Sequence, residues 1–229
     1  MSIDSPVASR PPAATASQPA SPADSRARAT RFPAFFDAAP CILMQDALAE
    51  TLGAAEGGIL EYRYVDAVKL AGHSCPTVAG AYLMTRAALA RLYPGALPQR
   101  GEIRVEMRGA QEEGVVGVVA RVATLITGAT GPGGFKGLAG RHVRRGLLSF
   151  GVPMRGEIRF TRLDTGAAVE LSFHLDALPR SPALALLMQS GLAANAPAEA
   201  RAALADAWQE RVRAILLDHA DDPARVSVE

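Results

Sequence analysis

Residues 66–82, with the sequence DAVKLAGHSCPTVAGAY, constrain the fold more than any other part of the chain. Pro76 suits the first position of a helix, because its missing N–H would have no partner there and its φ is already helical. A residue that precedes proline is pushed towards extended dihedrals. The sequence therefore predicts a short extended segment over His73, Ser74 and Cys75, followed by a helix from Pro76 to about Tyr93 with Cys75 as its N-cap.

This helix entrance places one of four histidines beside one of two cysteines. Side chains two positions apart on an extended segment share a face, so we expect His73 and Cys75 to point the same way. The positive end of the helix dipole favours the thiolate form of Cys75, which binds metals and attacks electrophiles. The alternative is a buried cysteine and a hydrogen-bonded histidine that pack under the start of the helix.

Composition limits the classes of partner. The net charge of +1 is spread over mixed acidic and basic residues, so we expect no nucleic-acid partner. No apolar run reaches the length of about 18 residues that a membrane-spanning helix needs, so we expect no membrane partner. Two cysteines without a secretion signal predict a reducing compartment and a cytoplasmic location, with Cys41 as a buried apolar residue.

The chain divides into three parts. Residues 1–30 are rich in Ala, Ser and Pro, which predicts a disordered N-terminal tail. Residues 31–180 carry the motifs of a globular domain, and residues 181–229 predict a C-terminal helical extension. In the extension an apolar face recurs at helical spacing and predicts a core or subunit contact, and we expect a homodimer. The residues of this face are Leu204, Trp208, Val212, Ile215 and His219.

Patterning predicts most of the elements of the domain. Residues 102–108 alternate apolar and charged side chains, which is typical of a half-exposed strand, whereas residues 115–126 fit a strand or a buried helix equally well. A glycine-rich loop over residues 127–137 follows. We also predict a short helix over 46–52, an edge strand or extended lead-in over 59–65, strands over 146–150, 156–163 and 168–175, and helices over 183–192 and 197–220.

This order of motifs resembles the formylmethanofuran dehydrogenase E-like (FmdE-like) family, in which a Gly-His-x-Cys-Pro segment opens a helix and a Thr-Gly-Cys-Thr loop follows the second helix. Gly72, His73, Cys75 and Pro76 match the first motif as they stand. The second motif is matched approximately, by Thr127, Gly128, Thr130 and Lys136. The resemblance covers residues 59–178.

The resemblance implies an α+β domain with a mixed four-stranded sheet, and it makes residues 115–126 a helix. It also implies a metal-associated site with His73 and Cys75 as ligands. Ala129 replaces the cysteine of the family loop, so chemistry that needs a second thiol near Cys75 is in doubt. The cysteine-pair zinc module that some members carry at the C-terminus is not present in this sequence.

Thiolate and imidazole are ligands that zinc, or another divalent transition metal, prefers. Two ligands are too few, so a third must come from His142, Asp66, Glu56 or a second subunit. His142 lies among arginines, where like charge would keep it neutral for ligation, although a solvated basic stretch explains it as well. Lys136 is one of two lysines among 24 basic residues and would hold an anionic group as a compact point charge.

Three functions follow from these residues. The first is a metal-binding protein with an open His/Cys site for a small-molecule ligand or substrate, in which Cys75 and Lys136 are the candidate catalytic residues. The second is a metal-independent thiol enzyme that uses Cys75 with His73 as its base. The third is a non-catalytic accessory or assembly module whose terminal helices dock a partner.

Overall fold

Short elements at the N-terminal end of the fold form a small two-stranded sheet. The structure, a computed structural model, describes residues 30–175 and 182–229, so nearly all of the predicted tail lies outside the described residues. Asp46 caps the second helix, since its Oδ1 accepts hydrogen bonds from Leu48 N at 2.9 Å and Ala49 N at 3.1 Å. In chain order these elements are helix α1 (Phe35–Ala38), strand β1 (Ile42–Gln45), helix α2 (Ala47–Thr51) and strand β2 (Ile59–Tyr62), and β1 pairs antiparallel with β2.

Three helices then build the core. Helix α3 (Tyr64–Ala71) leads to helix α4 (Pro76–Leu92), and helix α5 (Val116–Thr127) packs beside α4 after strand β3 (Ile103–Met107). Small residues let α4 approach its neighbours closely. A Cβ on Gly80 would lie 2.4 Å from Cδ1 of Phe173, so the helix meets the sheet at this glycine.

The main sheet is mixed and has five strands. Strands β4 (Leu148–Ser149), β5 (Ile158–Arg162), β6 (Ala168–Phe173) and β7 (Val226–Val228) join β3 in the order β4-β3-β5-β6-β7. The β4–β3 pair is parallel and the other three pairs are antiparallel. Inward-facing side chains of β3, β5 and β6 are buried against α4 and α5; they are Ile103, Val105, Met107, Ile158, Phe160, Val169 and Leu171.

The C-terminal residues return to this sheet. Helices α6 (Pro182–Gly191) and α7 (Ala198–Arg213) form a hairpin, and α7 continues as a wider turn over Ala214–Asp218 before β7 pairs with β6. Val212, Ile215 and Leu216 are fully buried. The described residues from Pro33 to Glu229 therefore form one compact unit.

The α+β class predicted from the sequence is confirmed, and so is the helix over 116–127 that the resemblance implied. Three details differ. The sheet has five strands rather than four, because residues 226–228 add an edge strand. An edge strand or extended lead-in was predicted over 59–65; residues 59–62 do form strand β2, but residues 64–71 form a helix that was not predicted. Cys41 is exposed rather than buried, because the alternation of β1 turns Ile42 and Met44 inward.

Candidate functional site

The turn between α3 and α4 has the backbone that the sequence predicted. Gly72 ends α3 in the left-handed conformation, with φ 76° and ψ 2°. Cys75 is extended, with φ −150° and ψ 167°, and Pro76 is the first residue of α4. Cys75 is thus the N-cap of a 17-residue helix, although its side chain makes no capping hydrogen bond.

The imidazole of His73 is held in one tautomer. His73 is exposed, and its Nδ1 lies 3.0 Å from the carbonyl oxygen of Ala71. A carbonyl oxygen only accepts hydrogen bonds, so Nδ1 carries the hydrogen of the neutral ring. In the neutral ring Nε2 then carries the lone pair, which can accept a proton, a hydrogen bond or a metal.

Cys75 has different surroundings. It is half-buried and packs against the hydrophobic core. The neighbouring phenol of Tyr64 is fully buried and lies 3.0 Å from Ser74 Oγ in a hydrogen bond. Burial raises the pKa of Tyr64 above its ordinary value, so this phenol stays protonated and neutral.

Ser74 joins the turn to the C-terminal helix. Its carbonyl oxygen accepts a hydrogen bond from Trp208 Nε1 at 3.0 Å and a longer one from Gln209 Nε2 at 3.3 Å. Ser74 was not predicted to have a role, because a serine between two chemically conspicuous residues carries no signal of a backbone contact made from 134 positions away.

A pocket of about 540 Å³ opens between this turn and the α6–α7 hairpin. Ligand pockets commonly have volumes of about 300–1,000 Å³ and mainly apolar linings. Here the lining is mostly apolar with a few polar groups at one side. Its residues are His73, Ser74, Met188, Gly191, Leu192, Arg201, Leu204, Ala205, Trp208 and Gln209.

The pocket depends on close packing of the two terminal helices. A Cβ on Gly191 would lie 2.8 Å from Cβ of Leu204, so only glycine lets α6 approach α7 at this point. The apolar face predicted on α7 is therefore divided in two. Leu204 and Trp208 line the pocket, whereas Val212 and Ile215 belong to the core.

The predicted third metal ligands do not join His73 and Cys75. Among residues 30–175 and 182–229, no three His, Cys, Asp or Glu side chains come together in a group that could hold a metal ion. Asp66 instead accepts a hydrogen bond from Arg63 N at 2.9 Å, and Glu56 is an exposed residue of a short 3-10 turn. The described side chains therefore do not fit a three-ligand zinc site within one chain.

Lys136 lies in the glycine-rich loop, and His142 lies just after it, beyond a tight hairpin turn. Leu138 and Arg141 pair through two backbone hydrogen bonds of 2.8 and 2.9 Å across the turn at residues 139–140. Lys136 is exposed, and it is not among the residues that line the pocket beside His73. His142 has a left-handed φ of 60°, and its buried Nε2 has no hydrogen-bond partner in the described structure.

The residue that anchors this loop is Arg144, which was predicted to lie in a solvated basic stretch. Arg144 is only 6% exposed, and its Nη2 donates a 2.7 Å hydrogen bond to Asp46 Oδ1. Arg100 Nη1 donates to Asp46 Oδ2 at 3.0 Å. Burial by itself would raise the pKa of Asp46, but the hydrogen bond from Ala49 N and the two guanidinium groups outweigh it and lower the pKa.

Gly128, in the loop, and Gly101, just before β3, make room for this arginine. A Cβ on Gly128 would lie 2.6 Å from Arg144 Nη1, and a Cβ on Gly101 would lie 2.3 Å from it. Thr130 closes the loop, since its Oγ1 donates to Arg144 O at 2.7 Å. The Thr-Gly-x-Thr motif therefore has a structural role here, which is to enclose a buried ion pair.

Comparison with known proteins adds no functional evidence: no protein-family model matches the sequence, and no curated protein is significantly similar to it. The resemblance based on the two motifs stays a prediction. In the described part of the chain, no helix combines the length and apolar character needed to cross a bilayer.

Proposed function

We propose that this protein binds a small, mainly apolar molecule in the pocket between the His73 turn and helices α6 and α7. One observation carries the proposal. The pocket has a volume of about 540 Å³ and a mostly apolar lining, and three polar side chains of its wall, His73, Trp208 and Gln209, are held by hydrogen bonds to Ala71 and Ser74. Such a combination of apolar volume and a few oriented polar groups is typical of small-molecule sites.

The chain offers a direct readout of this binding. Trp208 is its only tryptophan, and it lines the pocket. The neutral fluorophore N-phenyl-1-naphthylamine absorbs where tryptophan emits, so its binding should quench Trp208 emission by energy transfer. We expect saturable quenching with one class of sites.

Two alanines of α7 give a matched pair of variants. Ala205 lines the pocket, whereas Ala203 lies on the same helix, is exposed and is not a lining residue. Ala205→Phe should fill the pocket and weaken fluorophore binding at least tenfold, and Ala203→Phe should leave it unchanged. Quenching that does not saturate, or that survives equally in both variants, would refute the proposal.

The metal-binding function implied by the resemblance remains a separate prediction. It would need His73 and Cys75 together with a ligand from beyond the described residues of one chain, such as a residue of a second subunit. The observation in its favour is the tautomer of His73, since a hydrogen bond from Nδ1 to a carbonyl is the usual support of a metal-binding Nε2.

The homodimer also remains a prediction, with one supporting observation. Leu186 in α6 and Leu192 directly after it are large apolar side chains that are 67% and 69% exposed. Exposed apolar patches of this kind are typical of interaction surfaces. Sedimentation equilibrium of the wild type and of Leu186→Gln would test it. A dimer that dissociates in the variant is the expected result, and a wild-type monomer at all concentrations would rule it out.

A further inference from the structure

We propose that the pocket selects a neutral molecule whose apolar body carries a hydrogen-bond donor, of the chemical class of alcohols and amides. This inference rests on the proposed function, because it specifies the ligand of the same pocket. It follows from which hydrogen-bonding groups of the pocket wall are already used and which are still free.

Two donors on the α7 side of the wall, those of Trp208 and Gln209, are committed to the protein. Trp208 Nε1 and Gln209 Nε2 both donate to the carbonyl oxygen of Ser74. Because that carbonyl only accepts, the amide of Gln209 must turn its NH₂ group towards Ser74. Its Oε1 then lies within the wall, shut off from solvent and without a hydrogen-bond partner in the described structure.

His73, an exposed residue of the pocket lining, presents a second acceptor. Its Nδ1 hydrogen is used by Ala71 O, so Nε2 offers a lone pair. His73 lies between this pocket and a smaller cavity of about 90 Å³ that Leu70, Val118 and Arg121 also line. Gln209 Oε1 is shut off from solvent and out of reach of a ligand, so His73 Nε2 is the acceptor that remains for a donor of the ligand.

The lining disfavours both ionic alternatives, the cation because of its charge and the anion because it has no hydrogen to donate. No Asp or Glu among residues 30–175 and 182–229 lines the pocket, while the exposed guanidinium of Arg201 does, so an alkylammonium would meet a like charge there. A carboxylate would pair with Arg201 but would bring no hydrogen to His73 Nε2. A hydroxyl or amide group supplies the donor and avoids the repulsion, and polar groups left unpaired in a site reject the analogue that lacks the matching group.

A displacement series tests this selection with bound N-phenyl-1-naphthylamine as the reporter. The competitors are 1-octanol, its isomer heptyl methyl ether, octanoate and octylammonium at neutral pH. The ether has the same number of heavy atoms as the alcohol but no donor. We expect octanol to displace the fluorophore at a concentration about fivefold lower than the ether, as one net hydrogen bond predicts, and lower than either ion.

Variants of His73 assign the preference to its ring nitrogen. His73→Phe keeps an aromatic ring without an acceptor, so it should bring octanol and the ether to equal affinity. His73→Gln restores an acceptor and should recover part of the difference. Unchanged circular-dichroism melting of both variants would show that they fold as the wild type does.

The possible failures are distinguishable. If the fluorophore itself does not bind to the wild type, the proposed function fails and this inference fails with it. If the fluorophore binds but octanol and the ether compete equally, or octanoate competes best, the pocket exists and the inferred ligand class is wrong. An alcohol preference that persists in His73→Phe would likewise overturn the role of His73.

Discussion

Trp208 donates a hydrogen bond from Nε1 to the carbonyl oxygen of Ser74 at 3.0 Å, and this contact connects helix α7 to the turn that precedes helix α4. The turn and the helix are far apart in sequence, yet both line one pocket. The pocket therefore exists only when the C-terminal hairpin is docked, and variants that weaken docking should weaken binding as well.

Replacement of Trp208 by Phe removes this hydrogen bond while it keeps an aromatic ring in the wall. Ser74 O would retain only the longer bond from Gln209. We expect the free energy of unfolding to fall by about 1 kcal/mol, since that is the usual net value of one hydrogen bond. Urea unfolding followed by circular dichroism measures it, because the variant has no tryptophan emission; an unchanged midpoint would show that the contact does not stabilise docking.

Asp46→Asn should be among the most damaging conservative substitutions, because it leaves the buried guanidinium of Arg144 without its counterion. The expected loss is about 3–5 kcal/mol. Asp164→Asn is the control, since Asp164 also pairs with an arginine but its side chain is 55% exposed, and we expect a loss below about 1 kcal/mol there. Comparable losses in the two variants would contradict the special role of the buried pair.

The lowered pKa of Asp46 predicts that the stability of the fold depends on pH. The pKa of Asp46 is lowered in the folded state, so the stability it contributes is present above the unfolded-state pKa of about 3.9 and is lost as pH falls through the lower folded-state pKa. Acid unfolding of the wild type should therefore show a loss of stability below about pH 4. Asp46→Asn should lack this part of the loss, and identical pH profiles would refute the assignment.

Substitutions at two glycines can distinguish the cost of backbone strain from the cost of a steric clash with Arg144. Gly72 and Gly128 both end helices in the left-handed conformation, with φ of 76° and 75°. A Cβ meets nothing within 4 Å at Gly72 but lies 2.6 Å from Arg144 Nη1 at Gly128. Gly72→Ala should cost about 1 kcal/mol from strain alone, and Gly128→Ala should cost about 1–3 kcal/mol more. Equal costs in thermal or urea unfolding would mean that Arg144 moves aside freely.

Metal binding by His73 and Cys75, which the sequence predicts, can be tested directly. Elemental analysis should find about one zinc ion per chain if His73 and Cys75 are ligands, and Cys75→Ala and His73→Ala should both lose it. Cys41→Ala is the control, since Cys41 is exposed just before β1 and has no part in the predicted site. Folded, metal-free wild-type protein would remove the metal prediction.

Labelling with iodoacetamide tests the remaining alternative, in which the protein is a thiol enzyme. From exposure alone, Cys41 should react before the half-buried Cys75. A faster reaction at Cys75, lost in His73→Ala, would favour a nucleophile activated by its histidine. Slow, ordinary labelling of Cys75 would count against it.

Local patterns predicted much of this fold. Pro76 indicated the start of the central helix, and the alternation over residues 102–108 indicated β3, because both signals lie within a few neighbouring residues. The strand at residues 226–228 could not be found in this way, since three residues carry no usable periodicity and their pairing with β6 is decided by docking of the hairpin before them.

The site was less accessible to sequence reasoning. His73 was found because histidine next to a Cys-Pro helix entrance is locally conspicuous, but Arg144 and Gln209 act through partners distant in the chain. A possible signal for Arg144 was the density of glycines on its N-terminal side, since glycines that leave room for a side chain imply a bulky group to fill it. The pocket itself arises from the approach of two helices, which no single segment encodes.

Strand β7 has a consequence for synthesis of the protein. Until residues 226–228 have been made and the hairpin has docked, the backbone of β6 from Leu171 to Phe173 has no neighbour on that side. Exposed strand edges of this kind recruit strands from other chains. A nascent or truncated chain that stops before Val226 should therefore depend on chaperones and tend to aggregate, even though every residue of the central helix is already in place.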